Sequence, residues 1–275
     1  MERYKQPVKI TDKVILGGEK PVLLSGPCAV ENWDICAEVA EHMKKVSEET
    51  GFSYVFKASY DKANRTSADS FRSIGVDEAL RILQRIKDEF DLPIVTDIHE
   101  THEVAPVSEV ADVLQIPAFL CRQTSLLMEA GKSGKAVNIK KGQFMDPQGM
   151  QFAAEKVNSI NSDKAFLTER GTTFGYNNLV VDMRSLPVMR QFAPVVFDVT
   201  HSVQQPGGLG GKSGGQRQFA PYLAKAAAAA GVDGFFIETH PEPSKALSDG
   251  PNMVPLAEMA KFLTQLKTIW SLSNE

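Results

Sequence analysis

Several side chains of types that bind metals follow apolar runs in this sequence. Cys28 follows the run in VLLSGPCAVE, His201 follows VVFDVT, and Glu238 ends GFFIE. A thiolate, an imidazole and a carboxylate suit a borderline transition metal, and Asp249 in KALSDGP would supply a fourth ligand. Taken singly, Cys28 and His201 are explained about equally well as buried core residues. The metal interpretation therefore depends on whether the fold brings the ends of these runs together.

Basic side chains are concentrated at the same kind of position, although the chain has a net charge of −4. Arginine matches the oxygens of phosphate and carboxylate groups, and lysine acts as a movable point charge. A cluster of such cations repels itself unless anions bind to it. We therefore expect substrates that carry several negative charges, phosphates in particular. The residues concerned are Lys57, Lys62, Arg65, Arg122, Lys140 and Arg170.

The apolar runs predict the elements that position these residues. They alternate with amphipathic helical segments and are mostly apolar on both faces, as parallel strands covered by helices are. Eight such units favour an α/β fold of the (β/α)8 TIM-barrel type over an open doubly wound sheet, in a single catalytic domain over residues 1–275. The segment VKITDKVILGGEK predicts an N-terminal hairpin that closes one end of the barrel. The runs are PVLLSGPCAV, YVFKAS, PIVTDIH, VLQIP, AVNIKKG, AFLTERG, VVFDVTHSV and GFFIETH.

The carboxyl ends of parallel barrel strands meet at one rim, where enzymes of this fold carry their chemistry. One strand-end lysine or aspartate often only meets solvent, but a polar residue at every strand end indicates a lined pocket. Strands one and eight are neighbours where a barrel closes, and strand seven lies next to strand eight, which would bring the candidate metal ligands together. The strand-end residues are Cys28, Lys57, Asp97 with His99, Gln115, Lys140, Arg170, His201 and Glu238.

Composition restricts the class of protein. The chain has 275 residues, 43% hydrophobic and 23% charged, which is typical of a globular protein. Its acidic balance gives no electrostatic argument for a nucleic-acid or membrane partner. The N-terminus does not resemble a signal peptide, and no apolar run approaches the roughly 20 residues of a membrane span. Three widely spaced cysteines then predict a reducing cytoplasm without a disulfide framework.

Other motifs are open to different interpretations. PGGLGGKSGG is close to a phosphate-binding Walker A loop, but Pro206 replaces its first glycine, so we interpret it as a mobile loop over the site. Lys140 would be the nucleophile if the chain were a Schiff-base aldolase. We assign Cys36 to the core and Cys121 to a structural position.

The motifs FKASYDKANRTS, IPAFLCRQT, NIKKGQF, TERGTTFGYNNLVVD, FDVTHSVQ and ETHPEP together resemble the 3-deoxy-D-manno-octulosonate 8-phosphate synthases. The resemblance extends from about residue 20 to residue 265. It implies a (β/α)8 barrel, a homotetramer, and condensation of phosphoenolpyruvate with D-arabinose 5-phosphate. That reaction releases phosphate and leads to the inner-core sugar of lipopolysaccharide.

The resemblance also implies individual roles. Asn64 and Arg65 would orient the sugar phosphate and hold its phosphate, with Thr66 where many members have serine. Arg122 would reach into the site of a neighbouring subunit. Asp97, His99 and Gln115 match positions that line the pocket. The residues that match the phosphoenolpyruvate site are Lys57, Lys62, Lys140 and Arg170, and the catalytic group would comprise Lys57, Lys62, Lys140 and His201.

Members of this family differ at the position of Cys28. Those with asparagine there work without metal, whereas those with cysteine pair it with histidine, glutamate and aspartate around a divalent metal. This sequence has Cys28, His201, Glu238 and Asp249, so it resembles the metal-dependent branch, with zinc, iron, manganese or cobalt as candidates.

Two alternatives stay open beside the Schiff-base aldolase. One is the related 3-deoxy-D-arabino-heptulosonate 7-phosphate synthase, which uses erythrose 4-phosphate and normally reads KPRTS where this chain reads KANRTS. The other is a non-catalytic barrel that only binds sugar phosphates. Turnover of the five-carbon sugar would exclude both.

Overall fold

Eight parallel strands close into a barrel in the computed structural model, which describes residues 4, 6–64, 67, 70–207 and 214–273. A hairpin of β1 (Val8–Lys9) and β2 (Ile15–Leu16) precedes the barrel, as predicted. The barrel closes because the last strand pairs with both the first and the seventh. The barrel strands are β3 (Val22–Gly26), β4 (Ser53–Lys57), β5 (Ile94–Asp97), β6 (Val113–Ile116), β7 (Ala136–Lys140), β8 (Ala165–Glu169), β11 (Val195–Asp198) and β14 (Gly234–His240). The predicted (β/α)8 barrel is confirmed.

A helix follows each barrel strand, and short strands lie in the loops at the carboxyl end. The alanine-rich helix α7 ends before Gly231, whose φ of 85° is the left-handed conformation that favours glycine after a helix. The loop strands are β9 (Thr172–Thr173), β10 (Leu179–Val180), β12 (Gln204–Gln205), β13 (Gly214–Gly215) and β15 (Val254–Pro255). The helices are α1 (Trp33–Thr50), α2 (Val76–Phe90), α3 (Val104–Val110), α4 (Thr124–Lys132), α5 (Met150–Asn158), α6 (Ser185–Met189), α7 (Ala220–Ala230) and α8 (Met259–Ser273). Within the described ranges, none of these helices has the length and apolar character needed to cross a bilayer.

Side chains alternate between two cores along each barrel strand, as the period of a β-strand requires. One set packs outward against the helices, for example Leu23, Phe56 and Phe235. The other set fills the barrel interior and is continuous with the hairpin, through residues such as Val8 and Leu16. The hairpin therefore covers the amino end of the barrel, and the inward-facing positions are left to build a site at the carboxyl end.

Gly26 marks the closest approach between β3 and β4. A Cβ atom at this position would lie 2.1 Å from the carbonyl oxygen of Lys57, which is backbone and cannot turn away. We expect Gly26→Ala to lower the melting temperature by at least about 5 °C, because β3 and β4 must separate to relieve the clash. Thermal unfolding would measure this, with Gly18→Ala as the control. A Cβ atom at Gly18 would lie 3.2 Å from its nearest neighbour, the carbonyl oxygen of the exposed Ile15 in β2. A G26A chain as stable as G18A would contradict the expectation.

Some strands end earlier than the apolar runs suggest. β3 ends at Gly26, so Cys28 lies in the loop that follows, next to a single bridge between Ala29 and Ser59. His201 begins a short 3-10 turn beyond β11. The flanks of the glycine-rich loop pair as β12 and β13, while the predicted mobile part, residues 208–213, lies outside the described residues.

Candidate active site

The carboxyl ends of the strands surround one cavity of about 1870 Å³. Seven of the eight barrel strands contribute residues at or just beyond their carboxyl ends to its lining, whereas Cys28, predicted at the end of the first strand, is not one of the described residues that line it. Asn64 is exposed at the outer edge of this cavity. Arg65 and Thr66 lie outside the residues that the structure describes. The predicted residues that line the cavity are Lys57, Lys62, Asn64, Asp97, His99, Gln115, Lys140, Arg170, His201, Glu238 and Asp249.

The buried ring of Phe236 lies beneath two of the lysines that line this cavity. It belongs to the interior core and faces inward on β14, two residues before Glu238. The Lys140 Nζ lies 3.8 Å from the ring centroid and the Lys57 Nζ 5.2 Å, so both cations contact its π face. The ring of His201 lies 5.7 Å away, centroid to centroid. Two cations and one imidazole of the candidate site thus lie around a single aromatic ring.

Two of the predicted cations are already paired with buried carboxylates. The Lys57 Nζ donates to the Glu238 Oε1 at 2.5 Å and to the Cys28 carbonyl oxygen at 2.9 Å. The Lys140 Nζ lies 2.7 Å from the Asp198 Oδ2. The expectation that these cations repel one another unless anions bind is therefore wrong for Lys57 and Lys140. The reason is that carboxylates of neighbouring strands face the same volume.

Lys62 and Arg170 form no direct salt bridge with a carboxylate of the described residues, although several carboxylates lie near them. Burial alone would lower the pKa of Lys62, but the Cys28 sulfur and the surrounding carboxylates raise it above its ordinary value. The Lys62 Nζ donates to the Ser59 Oγ at 2.9 Å. Burial lowers the pKa of Arg170, and its Nη1 is buried without a hydrogen bond to any described residue. A buried guanidinium nitrogen that lacks a partner fits an anionic ligand in this cavity.

Asp97 accepts hydrogen bonds from two directions. The Thr168 Oγ1 donates to the Asn138 Oδ1 at 2.6 Å, and the Asn138 Nδ2 donates to the Gln115 Oε1 at 2.9 Å. The Gln115 Nε2 then donates to one Asp97 oxygen, while the Ser59 Oγ donates to the other. Burial opposes ionisation, but Lys62 and Lys57 hold the pKa of Asp97 well below its usual value. Asp97 is therefore a fixed anion that positions donors around the cavity.

His99 is held by Glu103 at the start of α3. The His99 Nδ1 lies 3.3 Å from the Glu103 Oε2, which also accepts a hydrogen bond from the Tyr60 hydroxyl at 2.6 Å. Burial would lower the pKa of His99, but its interaction with the accepting Glu103 carboxylate and the charge of Asp97 raise it. Burial would raise the pKa of Glu103, but His99 and Tyr60 lower it to about 2.

These shifts predict a pH-dependent contribution to stability. The Glu103 contribution is present above its unfolded pKa, about 4.5, and is lost as the pH falls towards 2. The His99 contribution is present below its unfolded pKa, about 6.5, and is lost as the pH rises through its folded value. We expect wild type to melt about 2–4 °C above Glu103→Gln at pH 5.5, with the difference narrowing at high and low pH.

Thermal melts between pH 3 and pH 9 would measure this difference. Glu109→Gln is the control, because Glu109 is exposed on the same helix. A difference in melting temperature between wild type and E103Q that is constant over the whole pH range would contradict the proposed stabilisation by the Glu103–His99 pair.

Cys28 lies directly behind the cavity wall with candidate ligands on two sides. Its Sγ lies 3.2 Å from the Ser248 Oγ and 3.3 Å from the Asp249 Oδ2. The Cys28 sulfur and carboxylate oxygens of Glu238 and Asp249 all lie within 4.8 Å of one another. The His201 Nε2 lies 3.8 Å from the Glu238 Oε2. The structure thus brings three of the predicted ligands into one group and places the fourth beside it.

The donor set of this group fits a divalent transition metal. Ligand atoms around a tetrahedral zinc ion lie roughly 3.3–3.8 Å apart, and the distances from Cys28 to Asp249 and from His201 to Glu238 are of this size. The Glu238 Oε2 is buried and accepts no hydrogen bond from a described residue. The His201 Nδ1 lies 2.9 Å from the Asp198 Oδ2, the carboxylate–histidine arrangement that directs the other ring nitrogen at a metal.

Arg122 is the predicted residue that does not face this cavity. It follows a buried Cys121 and is exposed, and it is not one of the described residues that line the cavity. Cys36 is buried in α1, as predicted, and Cys121 is buried and not in a disulfide.

Two functional positions escaped the sequence reasoning. Asp198 pairs with both Lys140 and His201 and is fully buried. Ser248 is the hydroxyl nearest the Cys28 sulfur. The sequence does indicate Asp198, because the alternation of side chains in VVFD predicts that it faces the barrel interior. No local sequence pattern distinguishes Ser248.

The arrangement combines buried cations, an aromatic ring beneath two of them and a group of metal-binding atoms. Such a site can hold phosphorylated anions side by side and stabilise negative charge that develops between them. The geometry therefore favours a reaction that joins two anionic substrates.

Comparison with known proteins agrees with this chemistry. The profile of the DAHP synthetase I family matches residues 5–274. The chain is 55% identical over 253 residues to the 2-dehydro-3-deoxyphosphooctonate aldolase of Nitratidesulfovibrio vulgaris, covering 92% of this chain and 93% of that protein. The proteins of the same name from Geobacter sulfurreducens and Campylobacter jejuni are 54% identical over 258 residues and 52% identical over 268 residues. These alignments cover 93% and 94% of this chain, and 95% and 99% of the relatives.

Proposed function

The chain belongs to the DAHP synthetase I family, and we infer that it acts as a 2-dehydro-3-deoxyphosphooctonate aldolase. It condenses phosphoenolpyruvate, D-arabinose 5-phosphate and water into 3-deoxy-D-manno-octulosonate 8-phosphate and phosphate. This product leads to the inner-core sugar of lipopolysaccharide. The observation that carries the inference is identity of 51–55% to proteins of that name, extending over almost the whole barrel.

The paired cations support a mechanism in which the protein stabilises the negative charges of the substrates and forms no covalent bond with them. C3 of phosphoenolpyruvate attacks the aldehyde carbon of the sugar, water adds at C2, and the C–O bond to phosphate then breaks. Lys57, Lys62, Lys140 and Arg170 hold the carboxylate and phosphate of phosphoenolpyruvate. Because these four residues line the same cavity, they would keep the two anionic substrates close together, and this proximity supplies much of the rate.

Asn64 is the residue that we propose to select the five-carbon sugar, together with Arg65 and Thr66. Its exposure at the outer edge of the cavity supports contact with the sugar, while the cations deeper in the site bind phosphoenolpyruvate. Phosphate release with D-arabinose 5-phosphate and with erythrose 4-phosphate, measured in parallel, tests the assignment. Preference for erythrose 4-phosphate would instead favour the heptulosonate synthase.

We propose that Cys28, His201, Glu238 and Asp249 hold a divalent metal and that the chain belongs to the metal-dependent branch, a proposal supported by the grouping of their ligand atoms. Zinc, iron, manganese and cobalt all suit this mixed set of sulfur, nitrogen and oxygen donors. When bound, the metal supplies a Lewis acid that polarises an oxygen atom beside it. Metal analysis of the purified chain, followed by chelation and reconstitution with each ion, would identify it.

A homo-oligomer, in the form of a tetramer, would explain the position of Arg122. This side chain is exposed and turned away from its own cavity, and the nearby Phe119 is 58% exposed. We propose that Arg122 completes the site of a neighbouring subunit. Mixing an inactive Arg122→Ala chain with an inactive Lys140→Met chain should restore part of the activity if this is correct. Complete inactivity of the mixture would exclude the shared site.

A single catalytic domain over residues 1–275 and a cytoplasmic location complete the proposal. The domain is supported by the barrel and its covering helices, which extend from Val22 to Ser273. The location is supported by Cys28, Cys36 and Cys121, which are all free.

A further inference from the structure

A buried glutamate near the metal-binding group remains outside the mechanism. Glu31 lies in the loop that carries Cys28 and is 8% exposed. Its Oε1 accepts a hydrogen bond from the backbone N–H of Leu247 at 3.0 Å, across a sequence separation of 216 residues. Leu247 precedes Ser248 and Asp249, so this carboxylate joins the loop after β3 to the loop after β14.

A histidine faces the other oxygen of this carboxylate. The His240 Nδ1 accepts a hydrogen bond from the backbone N–H of Glu242 at 2.9 Å. An imidazole nitrogen that accepts carries no hydrogen, so in the neutral ring the hydrogen lies on Nε2. The Nε2 is buried and lies 3.8 Å from the Glu31 Oε2. Its hydrogen therefore faces a buried carboxylate.

This pair is connected to all three segments that carry the clustered candidate ligands. Glu31 follows Cys28, His240 ends the strand that carries Glu238, and the amide bound by Glu31 precedes Asp249.

Asp249 has a less common backbone conformation that contacts from neighbouring segments can hold. Its φ of 51° lies in the left-handed region, which most residues with a side chain avoid and which aspartate adopts more readily. Such a conformation persists where the surrounding structure holds it. The Leu247 N–H bond to Glu31 is a contact that fixes the chain immediately before this position.

We propose that Glu31 and His240 are positioning residues that hold the Ser248–Asp249 segment against Cys28 and Glu238. They would set the spacing of the metal ligands without touching metal or substrate. The proposal rests on the metal site of the proposed function.

Three variants test it. Glu31→Leu removes the acceptor of the Leu247 N–H, whereas Glu31→Gln keeps an acceptor oxygen but not the charge. His240→Asn keeps a group that can accept from Glu242 but loses the Nε2 hydrogen. Glu242→Gln is the matched control, because Glu242 lies in the same loop and its side chain contacts the exposed Ser244 and Lys245, while its backbone N–H bond to His240 is unchanged by the substitution.

The measurements are the affinity for Zn²⁺ by chelator competition, hydrogen exchange of residues 246–250, and the melting temperature. We expect E31L to bind Zn²⁺ about 10- to 100-fold more weakly than wild type and to exchange faster over 246–250. E31Q and H240N should fall between E31L and wild type, and E242Q should match wild type.

Several outcomes would overturn the proposal. Wild-type Zn²⁺ affinity and exchange in both E31Q and H240N would do so even if E31L fails to fold. A loss of melting temperature without a change in affinity or exchange would show a merely structural role. If wild type itself binds no metal, the metal proposal fails separately, and the exchange over 246–250 alone decides whether the pair positions the segment.

Discussion

Lys140→Met should lower kcat/KM for phosphoenolpyruvate by about 10²–10³-fold, because it removes a positive charge from the site. The Lys140 Nζ lies between the Phe236 ring and the Asp198 carboxylate, so no other side chain can replace it there. Methionine has a similar volume, which limits the change to the charge. Steady-state kinetics with phosphoenolpyruvate as the varied substrate would measure the effect.

Lys132→Met is the control for this substitution. Lys132 is an exposed lysine of α4 that pairs with Glu129 at 2.8 Å and does not line the cavity. Borohydride reduction in the presence of substrate tests the Schiff-base alternative, because it would label wild type at Lys140 if that mechanism applied. More than a tenth of wild-type activity in K140M would show that the charge of Lys140 is not used.

Cys28→Ala should abolish stoichiometric metal binding, to below about one-tenth of an ion per chain, because a thiolate is the softest ligand in the set. Burial raises the pKa of Cys28 to about 12, so a metal must displace a proton from a thiol that is neutral at pH 7. The metal affinity of wild type should therefore rise about tenfold per pH unit between pH 6 and 8. Cys28→Asn should weaken metal binding or change the dependence of activity on metal.

Cys36→Ala is the matched control for a buried cysteine. Cys36 packs in α1 within the outer core, so C36A should lose stability and keep its metal. Metal content by plasma mass spectrometry and a metal titration at several pH values would check both expectations. Full metal occupancy in C28A would exclude Cys28 as a ligand.

Strand alternation explains why so much of the cavity could be predicted from sequence. The inward-facing Lys57 and Lys140 come last in mostly apolar strands, and the inward-facing Gln115 comes one residue before the end of β6. Parallel strands bring these ends to one rim, whatever lies between them. The polar residue type and its position in the run were therefore enough to predict that these side chains line the cavity.

The unpredicted part depends on contacts between distant segments. Asp198 ends β11 by the same rule, but its pairing with Lys140 on another strand exists only once the barrel has formed. The pairing of Lys57 with Glu238 requires the barrel register, because these residues are 181 positions apart. Glu31 and His240 have no local pattern at all, since their partnership exists only after β3 and β14 pair.

The hairpin at the amino end has a consequence for the kinetics. Since Val8 and Leu16 cover that end, substrates and products share the opening at the opposite end. A molecule held next to Phe236 cannot leave while another occupies the outer part of the cavity. Substrate binding should consequently be ordered, with the inner substrate binding first. The bulky condensation product must dissociate before a new molecule of either substrate can bind.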